Sequence, residues 1–249
     1  AAIAYQLHPT ANVLILESKT GMDVQVALYL GAVMVTGVED NPLIIEASRS
    51  AYEHAMLGWH QSSGRSFLRG NHWMYDIVQI PLTDSYHPVS SGAYALGEDY
   101  RYTVEAFEEA LLALKPDGLL VVTRWLQEEP TEWLRTFALA VTALEAQGLD
   151  PVDRIVALRS YNTGTLLIKP TPFREDELTQ IRAFAEERAF DLAFGPNLRE
   201  EELNRFNVLP EPIYYFTFQR LLASEPRDAF YQDTPFDVRP PTDYHPFFG

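Results

Sequence analysis

The sequence predicts an α/β domain built on a mostly parallel β-sheet that ends in an antiparallel hairpin. Three observations predict it. Short runs of branched apolar residues, typical of strands buried on both faces, recur between residues 12 and 123. Segments with apolar residues at helical spacing separate these runs and continue to Gly148. After residue 150, two strand-like segments flank a polar turn, which predicts a hairpin.

The predicted elements follow in order along the chain. Strands are predicted at 12–16, 33–38, 75–80 and 119–123, and the hairpin at 154–158 and 165–169. Helices are predicted at 23–30, from Pro42 through Ala51, and at 103–114, 132–147 and 175–188. Pro42 suits a first helical position, and Asp23 places a carboxylate near a helix start. Alternating strands and helices imply a parallel sheet covered on both faces.

The chain is divided by its composition into two parts. Residues 1–170 carry the alternating pattern and are predicted to form the sheet domain. Residues 171–249 are rich in proline and aromatic residues, and we expect them to form a C-terminal extension packed on the same domain. The closing Phe247 and Phe248 would need burial in that packing.

Charge and composition narrow the classes of partner. The chain has 19 Lys and Arg against 35 Asp and Glu, a net charge of -16, which repels phosphate backbones and argues against nucleic acid. The same charge favours a cationic substrate, or serves only as a solvated surface. No apolar run approaches the ~18–20 residues of a membrane helix, so we expect no membrane contact from this chain. A homo-oligomer is compatible with the sequence.

Cysteine and histidine usage bears on metals and on location. The chain lacks cysteine, which fits a cytoplasmic setting and leaves no thiolate ligand. Its six histidines show no paired metal-ligand spacing, so no metal site is predicted.

Candidate site residues follow the strands, because ligands of open α/β sheets bind at the carboxyl ends of the strands. Gly21 is the glycine of the first loop. Glu39, with Asp40 beside it, ends the second strand, where a carboxylate can accept hydrogen bonds from ribose or simply lie near a helix start. Asp84 follows strand 75–80. It binds an amine or assists proton transfer, or it is a turn residue that hydrogen-bonds its own loop backbone.

These residues together resemble the class I S-adenosylmethionine (SAM)-dependent methyltransferase superfamily. Within it, the chain is similar to spermidine synthase-like proteins, especially a bacterial group whose soluble domain often follows membrane-spanning segments. The resemblance covers nearly the whole chain. It rests on residues 12–31, 38–42, 63–68, 75–85, 100–107, 114–118, 235–238 and 241–248.

The resemblance implies a Rossmann-like fold that binds SAM or decarboxylated SAM. It implies that Glu39 holds the cofactor ribose and that Gly64 lies beside the adenine. Asp23 matches an acidic position at the start of the first helix, and Asp84 the second of two aspartates in the family's site. Tyr102 falls in a stretch that borders the substrate. The resemblance also implies a cytoplasmic location, as the cytoplasmic domain of a larger membrane protein.

Five residues depart from the family pattern on this one edge. Glu17, Lys19 and Thr20 stand where glycine is usual, Ser63 replaces an aspartate, and Pro81 replaces the aspartate that helps deprotonate the amine. Two function classes therefore remain. The first is a transferase that moves a methyl or aminopropyl group to a small-molecule amine. The second is a catalytically inactive relative that acts as a ligand sensor or partner-binding module.

Overall fold

A computed structural model describes residues 1–19, 21–51, 54–82, 98–127 and 129–248. Its strands are β1 Asn12–Leu16, β2 Met34–Glu39, β3 Leu57–Gln61, β4 Tyr75–Ile80, β5 Leu114–Trp125, β6 Ile155–Arg159, β7 Thr163–Ile168 and β8 Asp191–Phe194. Its helices are α1 Ala2–Leu7, α2 Met22–Tyr29, α3 Pro42–Ala51, α4 Gly64–Leu68, α5 Val104–Ala113, α6 Glu132–Ala146, α7 Glu175–Arg188, α8 Ile213–Ala223 and α9 Arg227–Asp233. A 3-10 turn spans Glu200–Glu202.

The strands form one eight-stranded sheet in the order β3-β2-β1-β4-β5-β7-β6-β8. The first five strands pair in parallel, and β7 lies antiparallel between β5 and β6. The predicted fold class, a mostly parallel sheet with a terminal antiparallel hairpin, is confirmed. Because β1 is flanked by β2 on one side and by β4 on the other, the strand order reverses at β1, the point where open sheets bind ligands.

The sequence patterns did not locate every element. The edge strand β3 escaped because its residues alternate between half-buried and exposed and include Gly58 and His60. Short elements such as α1, α4 and β8 also lacked a full period of apolar residues. In contrast, strands 12–16 and 75–80 and helix 175–188 have the predicted bounds.

Both faces of the sheet are buried, as the apolar strands predicted. Leu14, Val78 and Leu120 pack under α5, α6 and α8. The alternate residues of the same strands, among them Val13 and Ile77, pack under α1, α2 and α7. This alternation places helices on both faces of the sheet. A functional site is therefore expected at the ends of the strands, which the helices leave uncovered.

Residues after 170 join the same sheet and core. Strand β8 pairs with β6, and Phe218 of α8 stacks on Phe137 of α6 with 4.0 Å between ring centroids. Phe248 is 3% exposed and meets the predicted need for burial, whereas Phe247 is 39% exposed.

Two buried ion pairs hold this C-terminal part. Lys169 donates to both carboxylate oxygens of Glu177 at 2.7 and 2.9 Å and attaches α7 to the end of β7. Arg159 pairs with Asp191 at 3.2 Å, and the Asp191 carboxylate also accepts backbone N–H groups from residues 205–207. Burial opposes ionisation of Asp191, but these donors and Arg159 lower its pKa overall.

A close approach of backbone to ring requires Gly164 in the hairpin. A Cβ atom at Gly164 would lie 2.3 Å from Cε2 of Trp133 in α6. Only glycine lets the indole pack directly on the strand at this position.

Candidate functional site

The loop after β1 has a backbone that favours glycine but carries side chains. Its φ angles are 51° at Glu17, 40° at Lys19 and 74° at Gly21. The left-handed conformation costs about 1–2 kcal/mol for a residue with a Cβ. The loop therefore has a glycine-type conformation at two positions where the sequence supplies larger residues.

The Glu17 side chain crosses the edge of the sheet to the start of α4. Its Oε1 accepts a hydrogen bond from the Gly64 backbone N–H at 3.1 Å. The recess around this contact has a free volume of about 10 Å³, the space of a single water-sized sphere. Its walls are formed by Leu16, Glu17, Gly64, Arg65, Leu68, Ile80, Arg101 and Ala106. The Glu17 side chain thus fills the place beside Gly64 that the resemblance gives to adenine.

Glu39 lies at the predicted end of β2, but its carboxylate is turned into the protein. The residue is 3% exposed. Its Oε2 accepts from the Lys19 backbone N–H at 3.0 Å, and its Oε1 accepts from Asn41 N–H at 3.1 Å. In this structure Glu39 therefore stabilises the loop after β1, and its role toward ribose stays a prediction.

Three carboxylates meet at this edge. Oxygen atoms of Glu17, Glu39 and the exposed Asp40 all lie within 4.8 Å of one another. Burial raises the pKa of Glu17, and the charges of Asp40 and Glu39 add to this effect. The Gly64 N–H and Arg101 act in the opposite direction. The cluster makes the edge attractive to a cation and unfavourable for an anion.

Asp23, in the first turn of α2, is engaged by a strand residue that the sequence analysis missed. Gln79, 2% exposed at the end of β4, donates from Nε2 to Asp23 Oδ1 at 2.6 Å. The Gln79 amide oxygen accepts from the hydroxyl of Tyr5 at 3.0 Å. Burial raises the pKa of Asp23. The sequence did offer a signal for this contact, because Gln79 is a polar residue in an apolar strand and a buried amide needs hydrogen-bond partners.

The C-terminal segment is hydrogen-bonded to the helix that starts at Gly64. Asp243 accepts from Arg65 Nη2 at 2.6 Å and from Thr103 Oγ1 at 2.8 Å. Ser63, the departure before Gly64, caps α4 by accepting from Ser66 N–H at 3.3 Å. Asp243 therefore connects the starts of α4 and α5, a link across 178 residues that local patterns do not reveal.

Tyr102 is fully buried rather than open to a cleft. Its ring lies 4.5 Å from the Phe248 ring, and the Arg124 guanidinium stacks over it at 4.5 Å. Arg124 forms an ion pair with Glu132 of α6. Among the described residues, Phe248 and Arg124 both lie against the Tyr102 ring. The predicted catalytic residue Asp84 lies outside the described residues.

A wider groove lies beside this site, between α3 and β3. Its volume is about 820 Å³, within the range of small-molecule sites. It is lined by Pro42, Ile45, Glu46, Arg49, Ser50, His54, Leu57, Trp59 and Gln61. Gln61 pairs with Glu39 in the sheet, so one end of the groove adjoins the carboxylate cluster.

No family model matches the sequence, and no curated protein matches it either. Solved structures do match the fold. A Corynebacterium glutamicum protein described as a probable spermidine synthase is 17% identical, with a TM-score of 0.54, 74% of this chain and 66% of that chain covered. Spermidine synthase from Thermotoga maritima is 14% identical, with a TM-score of 0.51 and coverages of 88% and 68%. A spermidine synthase bound to the transition-state analogue AdoDATO is 14% identical, with a TM-score of 0.52 and the same coverages.

These likenesses establish the fold, the one shared by SAM-dependent methyltransferases and spermidine synthases. The chain spans about two thirds of the spermidine synthases. It spans 46% of a Listeria monocytogenes protein provisionally described as a SAM-dependent methyltransferase, at a TM-score of 0.37. Among the described residues, no helix has the length and apolar character needed to cross a bilayer.

Proposed function

We propose that this domain binds a SAM-type nucleoside at the carboxyl edge of β1 and β2 and transfers a methyl or aminopropyl group to a small-molecule amine. The observation that carries the proposal is the carboxylate cluster of Glu17, Glu39 and Asp40 at the reversal point of a SAM-methyltransferase-type sheet. SAM and its decarboxylated form are sulfonium cations, which such a cluster attracts. Asp84 is the proposed proton acceptor for the amine.

The recess does not fit the nucleoside while Glu17 occupies it. A free volume of about 10 Å³ excludes a base, and the Gly64 N–H already has an acceptor. A rotation of the Glu17 side chain would expose apolar walls formed by Leu16, Leu68 and Ile80. The proposal therefore includes displacement of Glu17 by the ligand, at the cost of the bond to Gly64.

The same closed recess favours a second candidate, a catalytically inactive domain that senses another ligand or binds a partner. If Glu17 keeps its hydrogen bond to Gly64, the recess has no room for a nucleoside. The domain would then share the fold of the transferases without their cofactor binding. The engagement of both Glu39 oxygens by backbone N–H groups supports this candidate as well.

Calorimetric titration with SAM, decarboxylated SAM and methylthioadenosine separates the two. The transferase proposal expects affinity to follow ligand charge, decarboxylated SAM first and neutral methylthioadenosine last, with the preference weakened by salt. Binding of any of the three below about 1 mM supports a nucleoside site. Absence of binding at that concentration for all three overturns the transferase proposal and leaves the partner-binding module.

A further inference from the structure

The groove between α3 and β3 is bounded by one face of a helix and one face of a strand. Residues 42, 45, 46, 49 and 50 of α3 recur at helical spacing, and residues 57, 59 and 61 alternate along β3. Because β3 is the terminal strand of the described sheet, the groove lies along the sheet's edge. Its volume of about 820 Å³ leaves room for a small molecule.

The arginine in this groove differs from the other arginines of the chain. Every other arginine forms an ion pair with a carboxylate. Arg49 forms none with any residue that the structure describes, and its guanidinium donates to the neutral Trp59 carbonyl at 3.4 Å. On a chain with 35 Asp and Glu, an arginine without a carboxylate partner is suited to hold an anionic group of a ligand.

A carboxylate on the same helix face, Glu46, lies one turn away from Arg49. Side chains three residues apart on a helix are neighbours, with about 5–6 Å between their Cβ atoms. Glu46 and Arg49 nevertheless do not pair with each other, and the Glu46 carboxylate has no hydrogen-bond or ion-pair partner in the described ranges. The groove therefore presents one cation and one anion side by side, each without an opposite charge.

The wall facing these charges is apolar. Ile45 is buried, and Leu57 and Trp59 are half-buried. An indole packs well against another aromatic ring, in offset or edge-to-face geometry. Two of the polar residues in the lining are already engaged locally, since the Ser50 hydroxyl donates to the Ala47 carbonyl and His54 Nδ1 accepts from the next turn. The groove thus combines a pair of opposite charges with an apolar surface.

We propose that this groove binds a free α-amino acid with an apolar side chain, an aromatic one in preference. Arg49 binds the carboxylate, Glu46 binds the ammonium, and Leu57 and Trp59 contact the side chain. An amino acid carries its two charges on neighbouring atoms, which matches two charges one helical turn apart. A zwitterion without net charge is not repelled by a chain of -16, whereas a simple anion is.

The groove shares no lining residue with the recess beside Gly64. The amino-acid proposal therefore does not depend on the proposed function, and either can fail alone.

Calorimetric titration of the whole chain with three ligands tests the proposal, in about 150 mM NaCl to screen long-range attraction. The ligands are L-phenylalanine, phenethylamine, which lacks the carboxylate, and 3-phenylpropionate, which lacks the ammonium. We expect phenylalanine to bind with a Kd of about 1 mM or less. Each analogue should bind about fivefold more weakly, the upper end for an exposed ion pair. L-Leucine should bind more weakly than phenylalanine, because it cannot stack on Trp59.

Two substitutions of exposed residues assign the charges. Arg49→Gln should weaken phenylalanine binding about fivefold and bring it level with phenethylamine. Glu46→Gln should bring phenylalanine level with 3-phenylpropionate. The matched controls are Arg188→Gln and Glu187→Gln, which make the same charge changes at an exposed ion pair of α7 and should leave all affinities unchanged.

Three results would overturn the proposal. The first is no binding of phenylalanine or leucine at about 10 mM. The second is an analogue that binds the wild type as tightly as phenylalanine, within about twofold, because one of the two charge contacts would then contribute nothing. The third is an unchanged affinity for phenylalanine in both the Arg49 and the Glu46 variants, which would place the ligand elsewhere on the chain.

Discussion

Replacing Glu17 with glycine is expected to open the recess beside Gly64 and to strengthen the nucleoside binding that we propose. The substitution removes the carboxylate that accepts from Gly64 N–H and the side chain that fills the recess. It also places glycine at a φ of 51°, where a Cβ is unfavourable. Relief of that strain stabilises the free and the bound protein equally, so it cancels from the affinity.

The magnitude follows from the contact that the ligand must break. A hydrogen bond to a charged group contributes about 1.5–3 kcal/mol. Glu17 is half-buried, so the lower end applies, about 1.5 kcal/mol or roughly a tenfold change in affinity. Glu17→Gln keeps the side-chain volume and one acceptor oxygen. We expect it to change the affinity for an uncharged ligand by less than about threefold.

The assay is calorimetric titration with methylthioadenosine, which has no charge and isolates the steric effect from electrostatic attraction. Lys19→Gly is a control for loop flexibility, because Lys19 shares the left-handed backbone and does not line the recess. Glu17→Gly should bind about tenfold more tightly than the Lys19→Gly and Glu17→Gln variants. Equal affinities of wild type and Glu17→Gly, within about twofold, would refute the reasoning.

Three further predictions concern stability. Asp191→Asn should cost about 3–5 kcal/mol at neutral pH, because the buried Arg159 guanidinium loses its carboxylate partner and keeps only neutral acceptors. The folded state lowers the pKa of Asp191 below its usual value of 3.8, so its contribution to the free energy of unfolding is present above pH 3.8 and is lost as pH falls through the lower pKa. In urea melts at acid pH, the free energy of unfolding should therefore fall less steeply with decreasing pH in the variant than in the wild type. Lys169→Met should also cost about 3–5 kcal/mol in urea melts, and adding Glu177→Leu should recover at least about half. Gly164→Ala should lower the free energy of unfolding in thermal melts by about 1–3 kcal/mol or more, because its Cβ would lie 2.3 Å from an indole carbon.

Controls for these variants come from the same chain. Gly195→Ala places a Cβ 3.5 Å from the nearest side-chain atom, an ordinary contact, and should change stability little. Equal melting of the Gly164 and Gly195 variants would contradict the packing argument. If Lys169→Met were as stable as Lys169→Met combined with Glu177→Leu, the loss of Lys169 would not leave a costly buried charge on Glu177, which would contradict the argument.

Part of the candidate site was predictable from residue order. Glu39 was predicted to lie at the end of β2, because it stands between an apolar strand and the helix that begins at Pro42. The direction of its carboxylate was not predictable, since it depends on the Lys19 N–H reaching it from the loop after β1. The burial of Tyr102 was likewise not predictable, because Phe248, from the far end of the chain, packs against its ring. Its place beside a substrate stays a prediction.

By itself the sequence determined the alternation of strands and helices, and with it the fold class. Buried strands and amphipathic helices leave local periods of two and 3.6 residues, which any single segment displays. Only the tertiary structure decided that Glu17 contacts Gly64, 47 residues away, and that Asp243 connects the starts of α4 and α5. Such contacts depend on how elements pack across the sheet, a property of the assembled core that no local pattern encodes.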